Sequence, residues 1–103
     1  MNAPIDAPLH AAIEKAVAAL EPQVVAWRRD FHANPELSNR EFRTSRIVAD
    51  HLVKLGLEVR TNVAHTGVVG VLRGDKPGPV VALRADMDAL PVTELVEIGR
   101  VHV

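Results

Sequence analysis

The sequence predicts an α/β fold, helices first and then a small mixed sheet, and three observations carry that expectation. Apolar residues recur in steps of three or four from Leu9 to Phe31, and a second such segment runs from Phe42 to Leu55. From Leu57 onward the spacing changes to alternation and to short valine-rich runs, the signature of strands. Helical segments followed by strand segments make a layered α/β arrangement, and the 103 residues show no internal repeat, low-complexity tract or linker that would divide it.

The first stripe, Leu9, Ile13, Val17, Leu20, Val24, Trp27 and Phe31, is one face of an amphipathic helix. Pro22 lies inside it. Proline lacks the N–H and its ring crowds the carbonyl four residues back, so the helix should kink or divide there, and the unbroken stripe favours a kink. Asn34-Pro35 ends the helix, because the residue before a proline is pushed out of the α region. Ser38-Asn39-Arg40-Glu41 has the spacing of a capping box, which predicts a second helix starting at Asn39 with Phe42, Ser45, Ala49, Leu52 and Leu55 on its inner face. Gly56-Leu57 has the composition of a helix stop with its apolar contact. Leu57, Val59 and Thr61 alternate with Glu58, Arg60 and Asn62, as in a half-buried strand at or near a sheet edge. Val68–Leu72 and Val80–Leu83 predict two more strands around the loop Arg73–Pro79, the second of them buried on both faces.

Composition excludes several functions. Twelve basic and thirteen acidic residues give a formal charge of −1, far from the positive field that non-specific nucleic-acid binding draws on. Arg28, Arg29, Arg40, Arg43 and Arg46 are interleaved with Asp30, Glu36 and Glu41, which makes them a solvated face. Without cysteine there is no disulfide, thiolate metal site or thiol nucleophile, which fits a reducing compartment. No apolar run approaches the roughly 18–20 residues that cross a bilayer. Met1 to Leu20 lacks a secretory h-region, and Asp6 and Glu14 argue against a transit peptide, so the expectation is a cytoplasmic chain with no nucleic-acid and no membrane partner.

Chemistry concentrates in Val80-Val81-Ala82-Leu83-Arg84-Ala85-Asp86-Met87-Asp88-Ala89-Leu90-Pro91. Carboxylates at i and i+2 stand on the same side of any extended stretch, here at the end of an apolar strand, where open α/β sheets place their sites. Two acids so placed point to metal or proton chemistry; the structural alternative is that Asp86 and Asp88 end the strand and pair with Arg84. A strand followed by D-x-D also occurs in phosphohydrolases of the haloacid-dehalogenase type, with the first aspartate as nucleophile and the second as general acid. That pattern continues with glycine and threonine, whereas Ala89-Leu90-Pro91 follows here. The histidines at 10, 32, 51, 65 and 102 have no i, i+4 pair or clustered ligand spacing, so no metal ligand is assigned. Gly67, Gly70 and Gly74 precede no Lys-Ser/Thr pair and fit strand packing and turns better than a phosphate loop.

Arg28-Arg29-Asp30-Phe31-His32-Ala33-Asn34-Pro35-Glu36-Leu37-Ser38, then Glu41 and Thr44, then Gly67-Val68-Val69-Gly70, then Leu83-Arg84-Ala85-Asp86-Met87-Asp88-Ala89-Leu90-Pro91-Val92-Thr93-Glu94 occur in that order. Together these segments closely resemble the N-terminal part of metal-dependent N-acyl-amino-acid amidohydrolases, the family of hippurate hydrolase and the indole-3-acetyl-amino-acid hydrolases, within the wider aminoacylase and carboxypeptidase group. The likeness covers about residues 24–94. It implies that residues 1–103 are a single incomplete piece of a three-layer α/β metallohydrolase domain, with a divergent tail at 95–103.

By that resemblance the whole enzyme uses zinc or manganese against an amide, acts on small N-acyl amino acids and forms homo-oligomers. It also implies that Asp88 is the carboxylate that orients a metal-bound histidine, and less directly that Asp86 belongs to the site. Carboxypeptidase-like relatives have a metal-binding histidine at the place of Asp86. The family's Cys-Gly-His-Asp segment, paired glutamates and further metal histidines are not in these residues, so the expectation is a chain that is inactive alone and binds no metal. The alternative is a non-catalytic module, or a truncated relic, that pairs through an exposed sheet edge.

Overall fold

The computed structural model describes residues 6–93, so the expected divergent tail at 95–103 lies outside the described residues. Four elements follow one another: α1 (Ala7–Ala33), α2 (Phe42–Lys54), β1 (Glu58–Val63) and β2 (Gly67–Val71). The described residues fall into two units, α1 in one and residues 34–93 in the other.

In the first unit Asp6 caps α1: its carboxylate accepts from the Leu9 amide at 2.8 Å and its carbonyl from the His10 amide at 2.9 Å. The helix runs 27 residues without a break through Pro22, so of the two outcomes expected there, division is ruled out. It ends at Ala33. None of its residues is buried, and Leu9, Ile13, Val17, Leu20 and Val24 on the apolar stripe are all exposed.

In the second unit the helix start expected at Asn39 is not formed. Ser38 and Asn39 form a turn in which the Arg40 amide donates to the Leu37 carbonyl at 2.9 Å, and Asn39 takes a left-handed φ of 66°. No capping box forms, and α2 starts at Phe42 rather than at Asn39, with no side-chain cap from Glu41. The amides at its start are satisfied instead by Glu36, as described below.

The other end of α2 matches the expectation closely. Gly56 sits at φ 86°, its amide donates to the Val53 carbonyl at 2.9 Å, and the Leu57 amide donates to the Leu52 carbonyl at 3.2 Å. This paired closure is the Schellman motif, and its apolar contact is present: Leu52 and Leu57 both close over Gly70, each 3.0 Å from where a Cβ would stand. That contact sets the helix on the hairpin. The buried face of α2 is accordingly Thr44 and Ala49 with half-buried Ser45 and Leu52, whereas Phe42 and Leu55, expected inside, are exposed.

β1 and β2 pair antiparallel, Glu58 opposite Val71, Arg60 opposite Val69 and Val63 opposite Gly67. A register shift between Arg60 and Val63 leaves Thr61 and Asn62 facing Val68, a bulge that Asn62 accommodates at φ 56°. Ala64 and His65 turn the chain at φ 47° and 83°, and Thr66 follows, buried. The expected mixed sheet is therefore a two-stranded antiparallel one among the described residues. Val80–Leu83 is neither strand nor buried: Val80 is 96% and Leu83 98% exposed. A strand needs a neighbour for its N–H and C=O groups and a cover for its side chains, and no described element supplies either along these four residues.

Candidate functional site

The two segments that drew attention in the sequence meet in the second unit. The Glu36 carbonyl accepts from the Ala89 amide at 2.8 Å, which pins the Arg84–Pro91 segment to the stretch that follows Pro35. Around that bond the segment alternates: Met87 and Ala89 are half-buried, while Asp86, Asp88 and Leu90 are exposed. Both aspartates thus stand on the solvent side, as the i, i+2 spacing predicts. The apolar strand expected to carry them is not formed.

Asp86 accepts from the Arg84 guanidinium at 3.3 Å, with both side chains largely exposed. An ion pair so open to water contributes little to stability, yet it occupies one oxygen of the carboxylate. Asp88 makes no hydrogen bond or ion pair among the described residues and is exposed. Of the histidines, His32 closes α1 in the other unit and His10 meets Glu14 at 2.9 Å near the start of that helix. Among the described residues no three histidine, aspartate or glutamate side chains come together as metal ligands.

Glu36 is the residue whose part single-sequence reading missed. One of its carboxylate oxygens accepts from the Arg43 amide at 2.9 Å, and the other from the Thr44 amide and hydroxyl, each at 2.6 Å. Partial burial pushes this carboxyl up, but the Thr44 hydroxyl, the two amides and the Arg43 charge outweigh burial and hold it below its usual value. The signal was in the sequence: helix-start amides need an acceptor, and a glutamate just past the helix-ending Pro35 was available as well as Ser38.

Glu41, the other half of the expected box, is buried and accepts from the Thr66 hydroxyl at 2.9 Å, across 25 residues. The Thr66 hydroxyl, with amides of Glu41, Asn39 and Arg40, lowers its pKa against an opposing effect of burial. Two glutamates therefore fasten the start of α2, Glu36 toward the aspartate segment and Glu41 toward the hairpin turn.

No family model matches the chain, and no solved structure matches it. Curated relatives do. The chain is 51% identical to thermostable carboxypeptidase 2 of Saccharolobus solfataricus over 87 residues, 84% of this chain and 22% of that protein. It is 44% identical to an N-acyl-L-amino acid amidohydrolase of Geobacillus stearothermophilus over 82 residues, 80% of this chain and 22% of the relative. It is 41% identical to the N-acetyl-L-cysteine deacetylase of Bacillus subtilis over 78 residues, 76% of this chain and 19% of the relative. The chain thus spans about a fifth of the length of the relatives it matches.

Proposed function

Because the chain is homologous over about four fifths of its length to carboxypeptidases and N-acyl amino acid amidohydrolases, we propose that it supplies part of the catalytic domain of an enzyme that hydrolyses the amide bond of N-acyl amino acids. The observation that carries this reading is the 41–51% identity with three proteins named carboxypeptidase, amidohydrolase and deacetylase. The Glu36–Ala89 bond supports it, since it joins two of the segments on which the likeness rests.

In this reading the chemistry that a divalent metal, zinc or manganese, would supply in the whole enzyme is polarisation of the amide carbonyl and activation of water. The described residues do not fit a metal site of their own, because no three donors converge. The part of this chain is to place carboxylates. Asp88, exposed and without a partner among the described residues, is assigned the role of accepting the N–H of an imidazole and so fixing its tautomer and orientation. Asp86, already engaged by Arg84, is assigned to the rim of the same site. The 103 residues alone are proposed to be inactive.

Two measurements test this. The chain, incubated with zinc or manganese and N-acetyl or N-benzoyl amino acids, should show no turnover above a metal-only control. Residues 24–93 replacing their counterpart in the Saccharolobus carboxypeptidase should give an active chimera, and Asp88→Ala in it should lower kcat about ten- to a hundredfold. An inactive chimera that folds like its parent would sink the functional reading.

A second reading, a non-catalytic module that pairs through a sheet edge, is favoured by one observation: among the described residues β1 and β2 each have a single strand neighbour. Sizing that shows a monodisperse monomer, with no complex on mixing with a full-length relative, would remove it.

A further inference from the structure

We infer that Glu36 is a positioning residue, which clamps the start of α2 with its carboxylate and the Asp86–Met87–Asp88 segment with its carbonyl, so that one residue fixes where Asp88 stands. The inference rests on the reading of Asp88 above, but the clamp itself is a matter of this chain's own bonds.

The geometry is unusual for a capping carboxylate. Glu36 lies six residues before Phe42, outside the helix it serves, and reaches it from the segment between α1 and α2. Its three side-chain bonds, to the Arg43 amide, the Thr44 amide and the Thr44 hydroxyl, leave the residue little freedom to rotate. The backbone of a residue so held is held too. Its carbonyl accepts from Ala89, the residue next to Asp88, and this is the only backbone bond among the described residues that ties the stretch after β2 to an earlier part of the chain. Thr44 is 4% exposed, so its bonds to Glu36 are shielded from competing water. The segment itself has no helix or strand to keep its shape. The position of Asp88 is thus carried by the chain of contacts from Thr44 through Glu36 to Ala89.

Amide hydrogen exchange on the 103-residue chain reads the clamp directly. In Glu36→Gln one carboxylate oxygen becomes an NH₂ that cannot accept, so one helix-start amide loses its partner; in Glu36→Ala both do. The expected result is faster exchange at Ala89, several-fold in Glu36→Gln and about tenfold or more in Glu36→Ala, with Val69 in β2 unchanged. Thr44→Val, which removes only the hydroxyl, should give the smallest rise and keeps the test open if Glu36→Ala does not fold. Unchanged exchange at Ala89 while Arg43 and Thr44 exchange faster would overturn the inference, and so would a uniform rise that includes Val69, because that marks general loosening.

In the chimera Glu36→Gln should lower kcat about tenfold with KM unchanged. A normal kcat beside fast exchange at Ala89 would overturn the link to Asp88. A chimera inactive with Glu36 intact defeats the functional reading instead, and the exchange data still decide the clamp.

Discussion

Glu41 and Thr66 are both buried and share a side-chain hydrogen bond, and its consequences belong to single groups. A carboxyl whose pKa is lower in the folded chain stabilises the fold at every pH above its unfolded value, and that contribution is lost as pH falls through the folded one. Glu36 and Glu41 are both held below the ordinary glutamate value of 4.5. The melting temperature of the chain should therefore be flat above about pH 5 and fall progressively as the solution is acidified below 4.5. Thr66→Val removes the hydroxyl that Glu41 accepts from, so the variant should melt lower at neutral pH and lose less on acidification. Parallel curves for the two proteins would show that Thr66 does not lower the carboxyl. The exposed pair of Glu58 and Arg73, 3.0 Å apart, is screened by water and salt, and its removal should leave the melting temperature nearly unchanged.

At the scale of elements, the glycines separate backbone strain from crowding. Gly56 has φ 86° and open space where a Cβ would be, so Gly56→Ala should cost about 1 kcal/mol, the strain of a left-handed alanine. A Cβ at Gly67 would fall on the Val63 carbonyl oxygen, part of the backbone at the hairpin's closing pair, so Gly67→Ala should cost more, about 1–3 kcal/mol. Gly78 has neither feature, and Gly78→Ala should be neutral or stabilise by up to about 1 kcal/mol through the unfolded chain. Urea melts of the three variants give the order, and equal losses at Gly56 and Gly78 would contradict it. These elements also show what was legible. The Gly56-Leu57 stop was readable because its bonds join residues no more than five apart, and the two aspartates were readable as a same-side pair because alternation is a local property. The capping box misled because Ser38 and Glu36 compete for the same helix start, and the winner depends on a turn at Asn39 that four residues of pattern do not decide. Val80–Leu83 misled for a larger reason: its composition states what the run prefers, and a strand forms only where another strand lies beside it.

For the whole molecule, the apolar surface is the dominant physical fact. Among the described residues Ala49 is the only buried hydrophobic side chain, while Val80, Val81 and Leu83 are 83–98% exposed, and the α1 stripe from Leu9 to Val24 is exposed as well. Burying apolar area is the main favourable term in folding, about 25 cal/mol per Å², and it must exceed a chain entropy cost of about 1–2 kcal/mol for each ordered residue. With so few side chains inside, that balance is thin for the 103 residues on their own, and contiguous exposed apolar runs associate with one another. The expected behaviour in solution is a broad, weakly cooperative thermal transition, binding of a dye that reports exposed apolar surface, and an apparent mass that rises with concentration. Two substitutions assign the cause. Val81→Lys places a charge in the middle of the run Val80–Leu83 and should reduce dye binding and association without lowering the melting temperature, because that residue is 83% exposed and supports nothing beneath it. Val17→Lys does the same on the stripe of α1, where Val17 is 61% exposed. If Val81→Lys alone abolishes association, the run Val80–Leu83 is responsible; if Val17→Lys alone does, the helix face is. A sharp transition in a monomer that binds no dye would mean that these apolar runs are covered in solution.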